Sequence, residues 1–104
     1  MLTQFPIEQW DNSGKVPVAA VLMSIEELEA ELGLSFVEDL DDLGSFRWAV
    51  VRVRSGTCYA FVQHVDGAEN ARVQVFADPR ADLQELAEAL NIPSTMIVPS
   101  RRWE

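Results

Sequence analysis

Residues 46–65 constrain the fold more than any other stretch of this sequence. The segments FRWAVVRVR and TCYAFVQHV alternate in polarity on either side of Ser55-Gly56, the pattern of two strands joined by a tight turn. A two-residue turn at Ser55 and Gly56 sets Arg54 opposite Thr57, Val53 opposite Cys58 and Arg47 opposite His64. Successive side chains of a strand point to opposite faces. That register therefore puts Ala49, Val51, Val53, Cys58, Ala60 and Val62 on one face, small and apolar as a helix-covered surface should be. Phe46, Trp48, Val50, Tyr59 and Phe61 fall on the other, together with Arg52 and Arg54.

The remaining elements follow from caps and turns. Residues 3–10 predict an edge strand interrupted by Pro6, and Asp11-Asn12-Ser13-Gly14 a turn. The apolar run VPVAAVLM, residues 16–23, predicts a buried strand with Pro17 at its start. Ser24-Ile25-Glu26-Glu27 is a capping box that opens a helix over 25–32, with Ile25, Leu28 and Leu32 on one face and Gly33 at its end. Ser35-Phe36-Val37-Glu38 repeats the signature and predicts a second short helix over 36–43, burying Phe36, Val37, Leu40 and Leu43 and closed by Gly44. Asp66-Gly67-Ala68-Glu69-Asn70 reads as a turn, 72–77 as a third strand and 95–98 as a last short one. Asp78-Pro79 predicts the start of a helix over 79–90, since Asp caps and proline lacks an amide that the first turn does not need. Its apolar stripe is Leu83, Leu86, Ala87 and Leu90, and Asn91 ends it. The expected fold is α+β: an antiparallel sheet of three to five strands centred on the 46–65 hairpin, with two short acidic helices and one C-terminal helix packed mainly on one face. A chain of 104 residues with 48% apolar content builds one core, so residues 1–104 are expected to form a single domain.

Charge narrows the partners. With 17 Asp and Glu against 8 Lys and Arg the net charge is -9, which repels phosphate backbones and anionic lipid; neither nucleic acid nor a membrane surface is an expected partner. The sequence holds no apolar run near the roughly 20 residues of a spanning helix, and MLTQFPIEQW carries no secretory signal. Its one cysteine, Cys58, excludes an intrachain disulfide. A cytoplasmic location is expected.

No catalytic constellation emerges. Cys58 and His64 share a strand face, but six residues of strand separate them by about 20 Å, against the roughly 3 Å of a nucleophile and its base. His64 is the sole histidine, so a zinc site of clustered His and Cys is ruled out. Asp39-Leu40-Asp41-Asp42 lacks the glycine and distant glutamate of an EF-hand loop. No phosphate loop or nucleophile elbow is present, so neither a cofactor nor enzymatic activity is expected. The segment LQELAEALNIPSTMIVPSRRWE resembles the helix-turn-helix of phage-repressor-like regulators, with Leu86 to Ile92 as first helix and turn, Pro93-Ser94-Thr95 as the start of the recognition helix and Arg102-Trp103-Glu104 as its end. It departs from that pattern at Pro99, which falls inside the recognition helix and would break it.

Two surfaces remain. Residues 16–46 contain eight carboxylates and no basic side chain. Glu27 with Glu31 and Glu38 with Asp42 would be like-charged pairs one helical turn apart, and Asp41 and Asp42 would face the negative end of a helix dipole. Local stability would not select such crowding. The expected function is therefore a small protein-binding module, a stoichiometric inhibitor of antitoxin or immunity type, that docks a basic partner protein through Glu27, Glu31, Glu38, Asp39, Asp41 and Asp42. The alternative is a small-molecule-binding domain that stacks a planar ligand on Trp48, Arg52, Tyr59 and Phe61, or forms a homodimer through that aromatic face.

Overall fold

The 46–65 hairpin forms, but its loop holds three residues instead of two. A computed structural model describes residues 2–42, 44–64 and 73–100. Strand β4 (Gly44–Val53) pairs antiparallel with β5 (Cys58–His64), setting Trp48 opposite Val62, Val50 opposite Ala60 and Arg52 opposite Cys58. The Gly56 amide donates to the Val53 carbonyl at 2.9 Å, and the Val53 amide donates to the Thr57 carbonyl at 3.0 Å. Arg54, Ser55 and Gly56 are thus the loop, and Gly56 adopts φ +97°, the left-handed position that a three-residue bulged hairpin reserves for glycine.

The extra loop residue moves β5 by one position, which reverses every side chain of that strand. Tyr59 and Phe61 turn toward the helices and are fully buried, while Cys58, Ala60 and Val62 join Phe46, Trp48, Val50 and Arg52 on the opposite face. Ala49, Val51 and Val53 keep the covered face expected of them. Arg54, in the loop, belongs to neither.

Five further strands complete the sheet: β1 (Leu2–Phe5), β2 (Val16–Val21), β3 (Val37–Asp41), β6 (Val73–Ala77) and β7 (Ile97–Pro99). The order is β1-β4-β5-β6-β2-β7, with β3 also on β4, and every pairing is antiparallel. Seven strands exceed the three to five expected. Strand β4 is long enough for β1 and β3 to share its outer edge, Phe5 lying opposite Val50 and Val37 opposite Trp48. Gln4 bridges the join: its amide donates to the Ser35 carbonyl at 2.7 Å, and its oxygen accepts from the Ser35 amide at 2.9 Å.

Strand β3 replaces the second acidic helix expected over 36–43. The Ser35 amide, which a capping box would give to the Glu38 side chain, goes instead to Gln4, and the Phe36 amide goes to the Glu29 carboxylate. An eight-residue helix is marginal by itself, and this one would stack like charges along its face. In a strand the carboxylates separate, and pairing with β4 satisfies backbone groups that the hairpin alone leaves open.

Two helices cover one sheet face. Helix α1 (Ile25–Leu32) has the expected capping box between Ser24 and Glu27 and the expected left-handed Gly33. Helix α2 (Leu83–Leu90) starts four residues later than Asp78-Pro79 suggests. Asp78 closes a local turn by accepting from the Arg80 amide, and Asp82 is the cap, accepting from the Gln84 and Glu85 amides. Ile25 and Leu28 of α1, Leu86 and Leu90 of α2, and Val21, Phe61, Val73 and Val75 of the sheet form the main core. After α2, Ser94–Met96 is a short 3-10 turn that leads into β7, so the helix-turn-helix likeness ends there. Arg102, Trp103 and Glu104, the 66–70 turn and Leu43 lie outside the described residues. Among the described residues no helix is long and apolar enough to cross a membrane.

Candidate functional site

The face that neither helix covers carries an aromatic groove. Its floor is Ala60 and Val62 on β5, and its walls are Phe46 and Trp48 on β4 and Phe76 on β6. Trp48 lies directly opposite Val62, and Ala60 directly opposite Phe76. Small side chains on the middle strand thus run between large ones on its neighbours, leaving a trough two interstrand spacings wide, about 10 Å between backbones. Trp10 and Asn12, from the segment between β1 and β2, line it as well, and the volume of the open groove is about 350 Å³, at the lower end of small-molecule sites.

The walls are held by ring contacts. Phe46 tilts against Trp48 at 6.2 Å and against His64 at 5.5 Å between centroids. Lys15 lies over the Trp10 ring at 5.5 Å, a cation–π contact that anchors the segment carrying Asn12. The two indoles differ in one respect. Trp10 donates its ring N–H to the Asn12 side-chain oxygen at 3.3 Å, whereas the Trp48 Nε1 is shielded from solvent and has no hydrogen-bond partner among the described residues. A buried donor left unmade costs about 1–3 kcal/mol.

Of the residues expected to form an aromatic ligand site, the structure brings only Trp48 to this groove. Arg52 shares the face but lies beyond it, its guanidinium over the Phe5 ring at 5.2 Å. Tyr59 and Phe61 are in the core under the helices, for the register reason given above. Sequence reasoning missed Trp10, Asn12 and Phe76. The alternation Val73, Val75, Ala77 against Gln74, Phe76 was a usable signal for Phe76; nothing local marked the segment after β1 as a groove wall.

The acidic residues do not form one helical surface. Glu27 is engaged in the α1 capping box, with Glu31 exposed one turn further along. Glu38 lies across from Arg47, which also approaches Glu26 on α1 at 3.9 Å. Asp39 accepts from the Leu40 amide at 2.8 Å, Asp41 is opposite Gly44 in the backbone register, and Asp42 sits exposed in the turn. No described strand pairs with the outer side of β3. Charges along such an edge, and a carboxylate that satisfies a strand amide, hinder pairing with another chain. Part of the carboxylate crowding is thereby explained without a partner.

Elsewhere the chemistry is sparse. Among the described residues no group of three or more His, Cys, Asp and Glu side chains is placed to hold a metal ion. Cys58, half-buried, lies opposite Arg52, and His64 opposite Phe46, at the two ends of β5. Burial, and then the Glu85 and Asp82 carboxylates, push the Tyr59 phenol up to about 12; its hydroxyl donates to the Asp82 carbonyl at 2.9 Å. Hydrogen bonds from the Arg80 amide and guanidinium hold the Asp78 carboxyl below the usual range. The first lies at the α2 cap and the second in the turn that precedes it.

Comparison with protein-family models, with curated proteins and with solved structures finds no match for this chain.

Proposed function

We propose that this chain is a small non-enzymatic binding domain whose site is the groove on the open sheet face, taking a small and largely apolar molecule. One observation carries the reading: four aromatic side chains from three separate parts of the chain converge on a groove of about 350 Å³ that neither helix covers. A sheet face meant for solvent alternates polar side chains outward, and one meant as core is capped by another layer. Around the groove this face is apolar, with Val50 and Ala60 buried, yet neither helix covers it. A reduced, cytoplasmic setting suits the single thiol of Cys58.

The neutral fluorophore N-phenyl-1-naphthylamine tests the site without opposing the -9 charge. Its emission is expected to rise to saturation at a single site. Val62→Trp, which fills the floor, is expected to weaken binding by roughly tenfold or more. Dye that does not saturate, or that binds Val62→Trp equally well, overturns the proposal. A second copy seated on the groove would appear instead as a dimer by size exclusion, with dye and dimer competing.

A second reading keeps the acidic flank as a dock for a basic protein partner of antitoxin or immunity type. The observation in its favour is Leu40, 71% exposed in the acidic segment that holds Glu38, Asp39, Asp41 and Asp42, an apolar contact flanked along the chain by charge opposite to the partner's. An extended peptide of alternating lysine and valine is the probe. Its binding is expected to weaken as salt rises, to vanish when those four acids become amides, and to survive when Glu8, Asp11, Glu85 and Glu88 are neutralised instead. Equal loss in both variants would reduce the effect to net charge and remove this reading.

A further inference from the structure

We infer that the groove reads a flat, uncharged ring that carries a hydrogen-bond acceptor, with the Trp48 indole N–H as the donor that selects it; the inference rests on the groove being a ligand site. Buried polar groups in native proteins are almost always partnered, and Trp48 Nε1 has no partner among the described residues. The same groove supplies the comparison. Trp10, its other indole, is satisfied by Asn12, so the segment that lines the groove closes one donor and leaves the other.

The rest of the lining fixes the class of ligand. Aromatic walls on β4 and β6 face each other across the small side chains of β5, a slot that favours a flat ring over a branched aliphatic one. Among the described residues no charged side chain lines it, and Asp39 lies opposite Phe46 on the same side of the sheet, which disfavours an anion. An uncharged heteroaromatic ring meets all three conditions: it stacks, it has no charge to desolvate, and its ring nitrogen or carbonyl accepts. Because Nε1 is shielded from solvent, an acceptor in the groove meets the N–H only once the indole turns, and that turn is part of the inference. That turn breaks no hydrogen bond among the described residues, though it shifts the ring against Phe46.

Naphthalene and quinoline test this directly, being nearly equal in shape and differing by one acceptor nitrogen. Quinoline is expected to bind roughly three- to tenfold more tightly than naphthalene. Trp48→Phe, which keeps a ring and removes the donor, is expected to abolish that preference while still binding naphthalene. In the unaltered protein the Trp48 indole N–H resonance is expected to move downfield with quinoline and to stay with naphthalene, a reading that holds even should Trp48→Phe fail to fold. Equal affinities, or an indole resonance indifferent to the acceptor, overturn the inference and leave the groove a ligand site. Failure of both compounds to bind removes the groove reading along with it.

Discussion

Phe61→Ala is expected to lower the unfolding free energy by about 3–5 kcal/mol, the usual cost of emptying a fully buried aromatic position. Phe61 is 0% exposed and sits in the cluster that joins β5 to α1 and α2. Trp48→Ala removes a larger side chain from the half-buried face and is expected to cost less, about 1–2 kcal/mol, because less apolar surface leaves water there on folding. Urea titrations of the two variants measure both numbers. The order of the two losses is the informative part. A two-residue loop at Ser55-Gly56 would put Phe61 beside Trp48 on the open face, and the penalties would then be comparable. A mild effect for Phe61→Ala would contradict the three-residue loop and the register built on it.

The second large effect is expected at alkaline pH. In the unfolded chain the Tyr59 phenol titrates near its ordinary value of about 10, and in the folded protein it is pushed up to about 12, first by burial and then by Glu85 and Asp82. Folding therefore favours the protonated phenol. This contribution is fully present below pH 10 and is lost as pH rises from 10 through 12, amounting to roughly 2–3 kcal/mol once both states are ionised. Tyr59 is the sole tyrosine, so phenolate absorbance reports on it alone. The phenolate band is expected to appear well above pH 10 under native conditions and near 10 in urea. Tyr59→Phe is expected to lose about 1 kcal/mol at neutral pH with the hydrogen bond to Asp82, and to flatten the tyrosine-linked part of the alkaline decline. A native midpoint near 10 would mean that the hydroxyl is open to water and that its bond to the α2 cap is not made.

Individual elements show where the sequence was legible. The α+β class, the pairing of β4 with β5, the α1 capping box, the left-handed Gly33 and the helix end at Asn91 all follow from local chemistry, and the structure has each of them. The α2 cap was ambiguous because Asp78 and Asp82 are both good caps four residues apart and the apolar stripe fits either. Residues 36–43 were misread because a serine with a glutamate three residues on also occurs ahead of strands. The penalties for like charges in a helix over 36–43 are visible in the sequence, and they argue against the helix as much as for a partner.

Within the candidate site, Trp48 was found because β4 was placed correctly, and Tyr59 and Phe61 were misplaced by a single residue of loop length. Alternation along β5 tells which side chains go together but not which way the set faces; that depends on whether the turn takes two residues or three, and Ser55-Gly56 is compatible with both. Local pattern by itself determined the elements whose hydrogen bonds close within a few residues: helices, caps and the existence of the hairpin. Tertiary structure alone decided the orientation of β5, the recruitment of 37–41 to the edge of β4, and the meeting of Trp10 and Phe76 across Ala60 and Val62. Those outcomes depend on burying one particular face of a sheet and on satisfying backbone groups of strands distant in the chain, energies that no local window contains.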